Sequence, residues 1–176
     1  MKKKIIWIPL AIIVAACLAV YICFYLQPKG FIKIDAAGAE LQLRGGRFGT
    51  KKTVSSTAPV TLSAGAYRPQ RLSITVKQGG DTWGIESSGR SWGTLEQIEV
   101  KSGQTTTLHL GPPFTIKPEV RKNNPQQVSV GLSIVGKAGE QYRNVVTKNN
   151  ATVSAPKIKI VDEAGTVLAS GNFEYG

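Results

Sequence analysis

The stretch that most constrains this chain is IIWIPLAIIVAACLAVYICFYL, residues 5–26, which follows Lys2-Lys3-Lys4 and carries no charged side chain. At 1.5 Å rise per residue, about 20 such residues reach across the ~30 Å hydrocarbon core of a bilayer. A charge at its centre would cost a few kcal/mol, and the segment avoids that cost throughout. Trp7 near one end and Tyr21 and Tyr25 near the other suit the two headgroup zones. Pro9 falls in the first turns, where a helix tolerates it best. By the positive-inside rule the lysines stay in the cytoplasm and the bulk of the chain lies outside, periplasmic or at the cell surface. Residues 1–4 therefore read as a cytoplasmic basic region, 5–26 as a single transmembrane helix and 27–30 as a linker.

Three fates are open to this segment. Its length favours an uncleaved signal anchor, since the apolar region of a cleaved signal peptide runs only ~7–15 residues. Val14-Ala15-Ala16-Cys17 resembles a lipobox, which would make Cys17 a lipidation site, although Leu18 to Leu26 continues apolar where a lipoprotein starts a polar tether. Ordinary cleavage would have to use Phe24-Tyr25-Leu26-Gln27, a poor site. Both cysteines, Cys17 and Cys23, lie in this segment, so the outer region has neither a disulfide nor thiol chemistry.

Beyond Gln27-Pro28-Lys29-Gly30 the hydrophobic period is two. Phe31 to Asp35, Glu40 to Arg44, Pro59 to Leu62, Leu72 to Lys77, Ile98 to Val100 and Thr105 to Leu110 each alternate as half-buried strands do. Gly79-Gly80-Asp81 and Ser102-Gly103 are turns, and Gly45-Gly46-Arg47-Phe48-Gly49 reads as a loop. Gly111-Pro112-Pro113 cannot continue a central strand and is taken as an internal boundary. After it, Val128 to Ile134 alternates most clearly, Lys157 to Val161 and Thr166 to Ala169 form a hairpin, and Gly171 to Tyr175 reads as a last edge strand. Residues 136–156 are taken as a long loop with at most a short strand. No helical period is found after residue 26. The expected fold is all-β, one or two small antiparallel β-sandwich units behind the N-terminal helix, unit 1 over 31–111 and unit 2 over 114–176.

STAPVTLSAGAYRPQRLSITV, residues 56–76, resembles the core of a PEGA-type repeat, with its Pro-Val-Thr-Leu strand, Gly turn and Tyr before a second strand. EVKSGQTTTLHL, residues 99–110, is similar to the closing hairpin of that repeat. The resemblance implies a small sandwich of a cell-envelope protein, akin in shape to carboxypeptidase regulatory domains, and no catalytic residue. Asp81 to Leu95 departs from the pattern as an insertion.

The net charge is +11, from 22 Lys+Arg against 11 Asp+Glu. Such a surface attracts polyanions without selecting one. Nucleic acid is excluded by the topology, which leaves lipid headgroups, lipopolysaccharide or wall phosphates. Arg44, Arg47, Lys51 and Lys52, in and around the glycine loop, are the candidate anion contacts. The loop is not a nucleotide-binding phosphate loop, because its spacing fails Gly-x4-Gly-Lys-Ser/Thr and no helix follows.

Other motifs fail on chemistry. His109, the single histidine, alternates with Leu108 and Leu110 and is expected to face solvent without the partners of a metal site or triad. Ser154-x-x-Lys157 and Lys101-Ser102-Gly103 stand in the wrong order for a penicillin-interacting serine enzyme, with no Ser-Asp-Asn between them. Asn150-Ala151-Thr152 fits a glycosylation acceptor but carries no meaning in a bacterium. In Asp81 to Gly93, two Trp-Gly pairs flank Ser87-Ser88-Gly89 symmetrically. A hairpin turning there sets Trp83 opposite Trp92, as a packing staple or as a platform for a sugar or protein partner. The expected function is non-enzymatic binding or scaffolding in the cell envelope, with no cofactor and no metal. The alternatives are an accessory subunit of a larger membrane complex and a lipoprotein anchored at Cys17.

Overall fold

A computed structural model describes residues 7–25, 27–46, 49–55, 58–89, 91–124, 127–143 and 145–173. It is a β protein behind one α-helix, α1 (Trp7–Tyr25). Side chains in α1 are described at 12–19 and 21–22, and all are exposed. Among the described residues no helix is long and apolar enough to cross a membrane. Residues 5, 6 and 26 of the expected span lie outside the described residues, so the span rests on the sequence.

The strands of the first part are β1 (Lys29–Ile34), β2 (Ala39–Gly45), β3 (Thr50–Ser55), β4 (Val60–Ser63), β5 (Gly65–Gln78), β6 (Asp81–Ser87), β7 (Ile98–Val100) and β8 (Thr105–Leu108), with a 3-10 turn at Gly93–Leu95. Then come β9 (Thr115–Asn124), β10 (Gln127–Val135), β11 (Gln141–Tyr142), β12 (Val146–Lys148), β13 (Ala151–Thr152), β14 (Lys157–Val161) and β15 (Val167–Asn172).

Two sheets face each other across one core. The smaller has the order β4-β1-β8, and the larger β13-β12-β6-β5-β2-β3 with β7 also on β5. Alternation decides which side chains go in. β1 buries Ile32 and Ile34, β2 buries Ala39, Leu41 and Leu43, and β5 buries Tyr67, Leu72 and Ile74. Leu62, Ile98, Val100 and Leu108 complete the layer between the sheets. Full burial of each Leu or Ile contributes roughly 1.5–3 kcal/mol. β5, 14 residues long, is the spine: its start pairs with β7, its middle with β2 and its end with β6.

Several expectations are corrected. Strand pairing is not wholly antiparallel: β8 runs parallel to β1, because the chain re-enters the small sheet in the same direction after a long excursion through the large one. The hairpin expected over 99–110 does not form, since β7 joins β5 and β8 joins β1 in the other sheet. Residues 50–55, to which the sequence reading assigned no strand, are strand β3 on β2.

Nor do Gly111 to Pro113 separate two units. β12 pairs with β6, and Ile134, Ala138 and Tyr142 belong to the same core as Leu72 and Ile74. Residues 136–156 are therefore not a free loop but the segment that closes the far end of the core. At its centre, Glu140 is fully buried. Its Oε1 accepts from the Gly111 N–H at 2.6 Å and the Tyr142 hydroxyl at 2.8 Å, and its Oε2 from the Ala138 N–H at 2.8 Å. Burial, then the charge and hydrogen bond of Glu140, push the Tyr142 phenol far above its ordinary range, so it stays a donor. Gly136 must be glycine here, because a Cβ would stand 2.1 Å from Glu140 Oε1.

What remains stands away from the core. β9 is exposed along its whole length and pairs only with β10, and β14 pairs only with β15. The expected edge strand 171–175 is partly in view: β15 ends at Asn172, and 174–176 lie outside the described residues. The Glu140 contacts give a direct test. Glu140→Ala orphans two backbone N–H groups and a phenol in the core and is expected to cost about 3 kcal/mol, read as a lower urea midpoint at unchanged slope. A wild-type midpoint would contradict this account of how the far end is closed.

Candidate functional site

The sandwich opens at the end where β5 meets β6. Cross-strand pairing sets Ile74 beside Ile85 and Val76 beside Trp83, while β12 adds Val146 beside Ile85 and Lys148 beside Trp83. Ile74 is sealed at 2 % exposure, but Val76 is 43 % exposed and Trp83 half-buried, so the inner face of the large sheet runs out past its cover. Facing it across the gap are Pro112 and Phe114, which lead into β9, Ile116 of β9 itself, and Ile134 of β10. The result is a cleft of about 440 Å³ whose walls are mostly apolar, within the size range of ordinary ligand sites. Phe114 is fixed edge-on against Tyr142, with ring centres 5.1 Å apart. The Glu140 cluster thus sets the position of one wall. A hollow of about 600 Å³ on the β9–β10 hairpin, lined by Glu119, Arg121, Ser129 and Ser133 among others, is larger but more polar.

One rim of the cleft is charged. Lys148 Nζ lies 2.7 Å from Asp81 Oδ2 and 5.4 Å from the centre of the Trp83 ring. Asn149 donates through Nδ2 to Asp81 Oδ1 at 2.8 Å and accepts at Oδ1 from the Thr82 N–H at 2.8 Å. Asn149 and Asn150 both take positive φ, 51° and 65°, as a two-residue hairpin between β12 and β13 requires. The Lys148 and Asn149 hydrogen bonds hold the Asp81 carboxyl below its ordinary 3.8.

The structure separates the two tryptophans that the sequence paired. Trp83 lines the cleft on β6, whereas Trp92 is 6 % exposed, caps the 3-10 turn and packs in the core. They are not opposite each other, because β6 pairs with β5 and β12 instead of folding back at Ser87, whose hydroxyl is spent on the Gln141 carbonyl. Phe114, Ile116, Val76, Asp81 and Lys148 escaped the sequence reading. Val76 entered that reading only as a position of the alternating stretch Leu72 to Lys77 and Asp81 only as the start of the Asp81 to Gly93 stretch, and nothing local announced that these residues gather at Trp83.

Arg44 and Lys51 stand opposite each other on β2 and β3, and Arg68 of β5 stands on the other side of Arg44. This makes a lateral row of three exposed cations, none of which has an ion-pair partner among the described residues. Lys52 pairs with Leu43 and so belongs to the opposite face from Lys51, and Arg47 lies outside the described residues. Cys17 is exposed in α1. His109 is exposed as expected, but its Nδ1 bonds Asp35 Oδ2 at 2.5 Å. Burial pushes the Asp35 carboxyl up, yet the His109 hydrogen bond and charge, the Leu110 backbone and Lys137 together outweigh it and hold it low. Among the described residues no three of His, Cys, Asp and Glu converge on a metal position. Comparison of the chain with family models, curated proteins and solved structures finds no match.

Two outcomes follow from this placement. In a Trp7→Phe background, Trp83→Phe should remove most of the acrylamide-quenchable emission and leave the blue-shifted, protected signal of Trp92. Quenchable emission that survives Trp83→Phe would place the open indole elsewhere. The second concerns pH. Folded Asp35 and Asp81 titrate below the unfolded value near 3.8, so as pH falls the unfolded chain takes up protons first. Their stabilisation is present above about pH 4 and lost below it. Acid-limb melts should be flatter in an Asp35→Asn, Asp81→Asn double variant than in the wild type.

Proposed function

We propose that residues 5–26 hold this chain in a membrane with 27–176 on the extracytoplasmic side, and that it works there as a non-enzymatic binding module of the cell envelope. In this reading the cleft beside Trp83 receives an apolar segment of a protein partner. The cleft carries the proposal: an open, mostly apolar space framed by one half-buried Trp and rimmed by a fixed Lys–Asp pair is built to hold an apolar group in a set orientation. Aliphatic walls suit side chains better than a glycan, which needs polar partners around its stacking ring. The position of the cleft argues against membrane acyl chains, since Ile74 and Ile85 lie at the opposite end of the sandwich from Pro28 and Lys29, where the chain leaves α1.

Anchoring is supported by the run of residues without charge behind Lys2-Lys3-Lys4 and by the exposure of Ile12, Ile13, Val14 and Leu18, which need an apolar surrounding. Lipidation at Cys17 would serve the same placement, and Cys17→Ala with intact mass distinguishes it from the uncleaved anchor. Of the PEGA-like pattern, only the 56–76 stretch, which forms β4 and β5, supports an envelope sandwich, since the closing hairpin implied for 99–110 is absent.

A photo-crosslinking residue placed at Ile116, 63 % exposed, tests the reading in native membranes. A discrete protein adduct, lost when Val76→Glu is added, is the expected result. An integral membrane partner would assign the chain to a larger complex as an accessory subunit, and a partner outside the bilayer would make it a scaffold. Adducts to lipid alone, or a chain shielded from protease added outside spheroplasts, would overturn it.

A further inference from the structure

The end of the sandwich that receives the chain from α1 is gathered by a set of backbone bonds. Ala64 donates to Pro28, Gly103 to Lys29 and Gly46 to Ala66. The turns after β4 and β7 are thereby drawn onto the first residues of β1, and the turn after β2 onto the start of β5. This pole is basic. Lys29 and Lys101 stand on it exposed, and the Lys51–Arg44–Arg68 row runs across the large sheet one residue behind Gly45. Glu99 stands on β7 opposite Ala66, between Lys101 and the start of β5. Of the other described acids, Asp35, Asp81, Glu86 and Glu119 are bonded to His109, Lys148, Arg71 and Arg121, Glu140 is buried behind Gly111, and Glu40 lies on the face of β2 that carries Arg44, four residues away.

Like charges set side by side across neighbouring strands repel. Arg44 between Lys51 and Arg68 therefore weakens the bare sheet and strengthens it only when anions cover the row. The chain itself fixes how near an anionic surface lies. From Leu26, the last residue of the apolar run, to Lys29 is three residue steps, at most about 10 Å when fully extended. That reach is close to the Debye length of ~8–10 Å in physiological salt, so the pole cannot leave the range in which headgroup charge acts on it.

We infer that this pole docks on the anionic phospholipid headgroups of the membrane that holds α1, with Lys29, Arg44, Lys51, Arg68 and Lys101 as the contacts. The inference rests on the membrane anchoring proposed above and goes beyond it. A bare tether would let the sandwich tumble, whereas a docked basic pole stands it upright and presents the Trp83 cleft away from the bilayer. Of the cations singled out in the sequence, Arg44 and Lys51 take part, and Arg68, Lys29 and Lys101 are added by the fold.

The test uses the full chain in lipid nanodiscs, one set of phosphatidylcholine and one of phosphatidylcholine with phosphatidylglycerol, read by amide hydrogen exchange. Docking slows exchange of the Gly49–Lys51 and Lys101–Gln104 amides by ~10-fold or more in the anionic discs, an effect that salt reverses, with Gly79, Gly80 and Gly165 unchanged. The Arg44→Gln, Lys51→Gln, Arg68→Gln triple variant should stay in the disc and melt no lower than the wild type while losing that protection. Equal exchange in the two lipids, with the chain retained in both, overturns the docking and leaves the anchoring intact. A chain that fails to co-elute with either disc removes the anchoring, and the docking with it.

Discussion

Glu140 is a buried carboxylate that takes its partners from the backbone and a phenol: the Gly111 and Ala138 N–H groups and the Tyr142 hydroxyl. An ionisable side chain at zero exposure is tolerated only when its lone pairs are filled, and here the donors come from both sides of the Pro112-Pro113 stretch. The consequence reaches well past the carboxylate. Tyr142 is held for Phe114 to lean on, and the chain beyond it is aimed so that Arg143 bonds Glu86 and β12 adds to β6. Without that fixed loop, the large sheet would end at β6 and Trp83 would have no facing wall. The apolar cleft is thus a product of a polar cluster that sits outside it.

The inner residues of the sandwich were legible in the sequence because alternation is a local signal. Ile32 with Ile34, Leu41 with Leu43, and Leu72 with Ile74 all point where the period-two pattern puts them. What could not be read is what covers a face. Val128 to Ile134 shows the clearest alternation, yet β10 is buried only at its end, from Ser133 to Val135, because nothing packs closely over its outer half. Conversely, Gly136 to Tyr142 has no period at all and still belongs to the core, since its burial is bought by hydrogen bonds rather than by an apolar stripe. β3 was hidden for a related reason: Thr50 to Thr53 is polar on both faces, and only Val54 enters the core. The two tryptophans misled through symmetry. Equal spacing about Ser87 and Ser88 suggested a hairpin, but β6 pairs with β5 across the two-residue Gly79-Gly80 turn and with β12 on its other side.

The candidate contacts divide along the length of the sandwich. Lys29, Arg44, Lys51, Arg68 and Lys101 gather at the pole joined to α1, while the part-exposed apolar side chains Val76, Trp83 and Ile116 gather at the other. The strand pairing sets this polarity. Arg44, Lys51 and Arg68 share one row because β3, β2 and β5 are in register there, and Val76 and Trp83 share another because β5 outruns β2 and carries β6 beyond the smaller sheet. The long β5 therefore has two chemically different ends, one basic and one apolar, on a single rigid strand.

How a partner would engage the apolar end is constrained by the edge beside it. β9 is an edge strand with every residue exposed, and such an edge invites another strand to pair with it. Its sequence works against that. Lys117, Pro118, Glu119, Arg121 and Lys122 are the residues that blunt an edge, and Pro118 lacks the N–H that a ladder would use. Phe114 and Ile116, immediately before this charged run, turn to the cleft instead. In the proposed reading, recognition at this end would run through side chains entering the cleft, and not through addition of a strand to β9, and specificity would lie in the shape and size of the incoming apolar group against Trp83, Phe114 and Ile116.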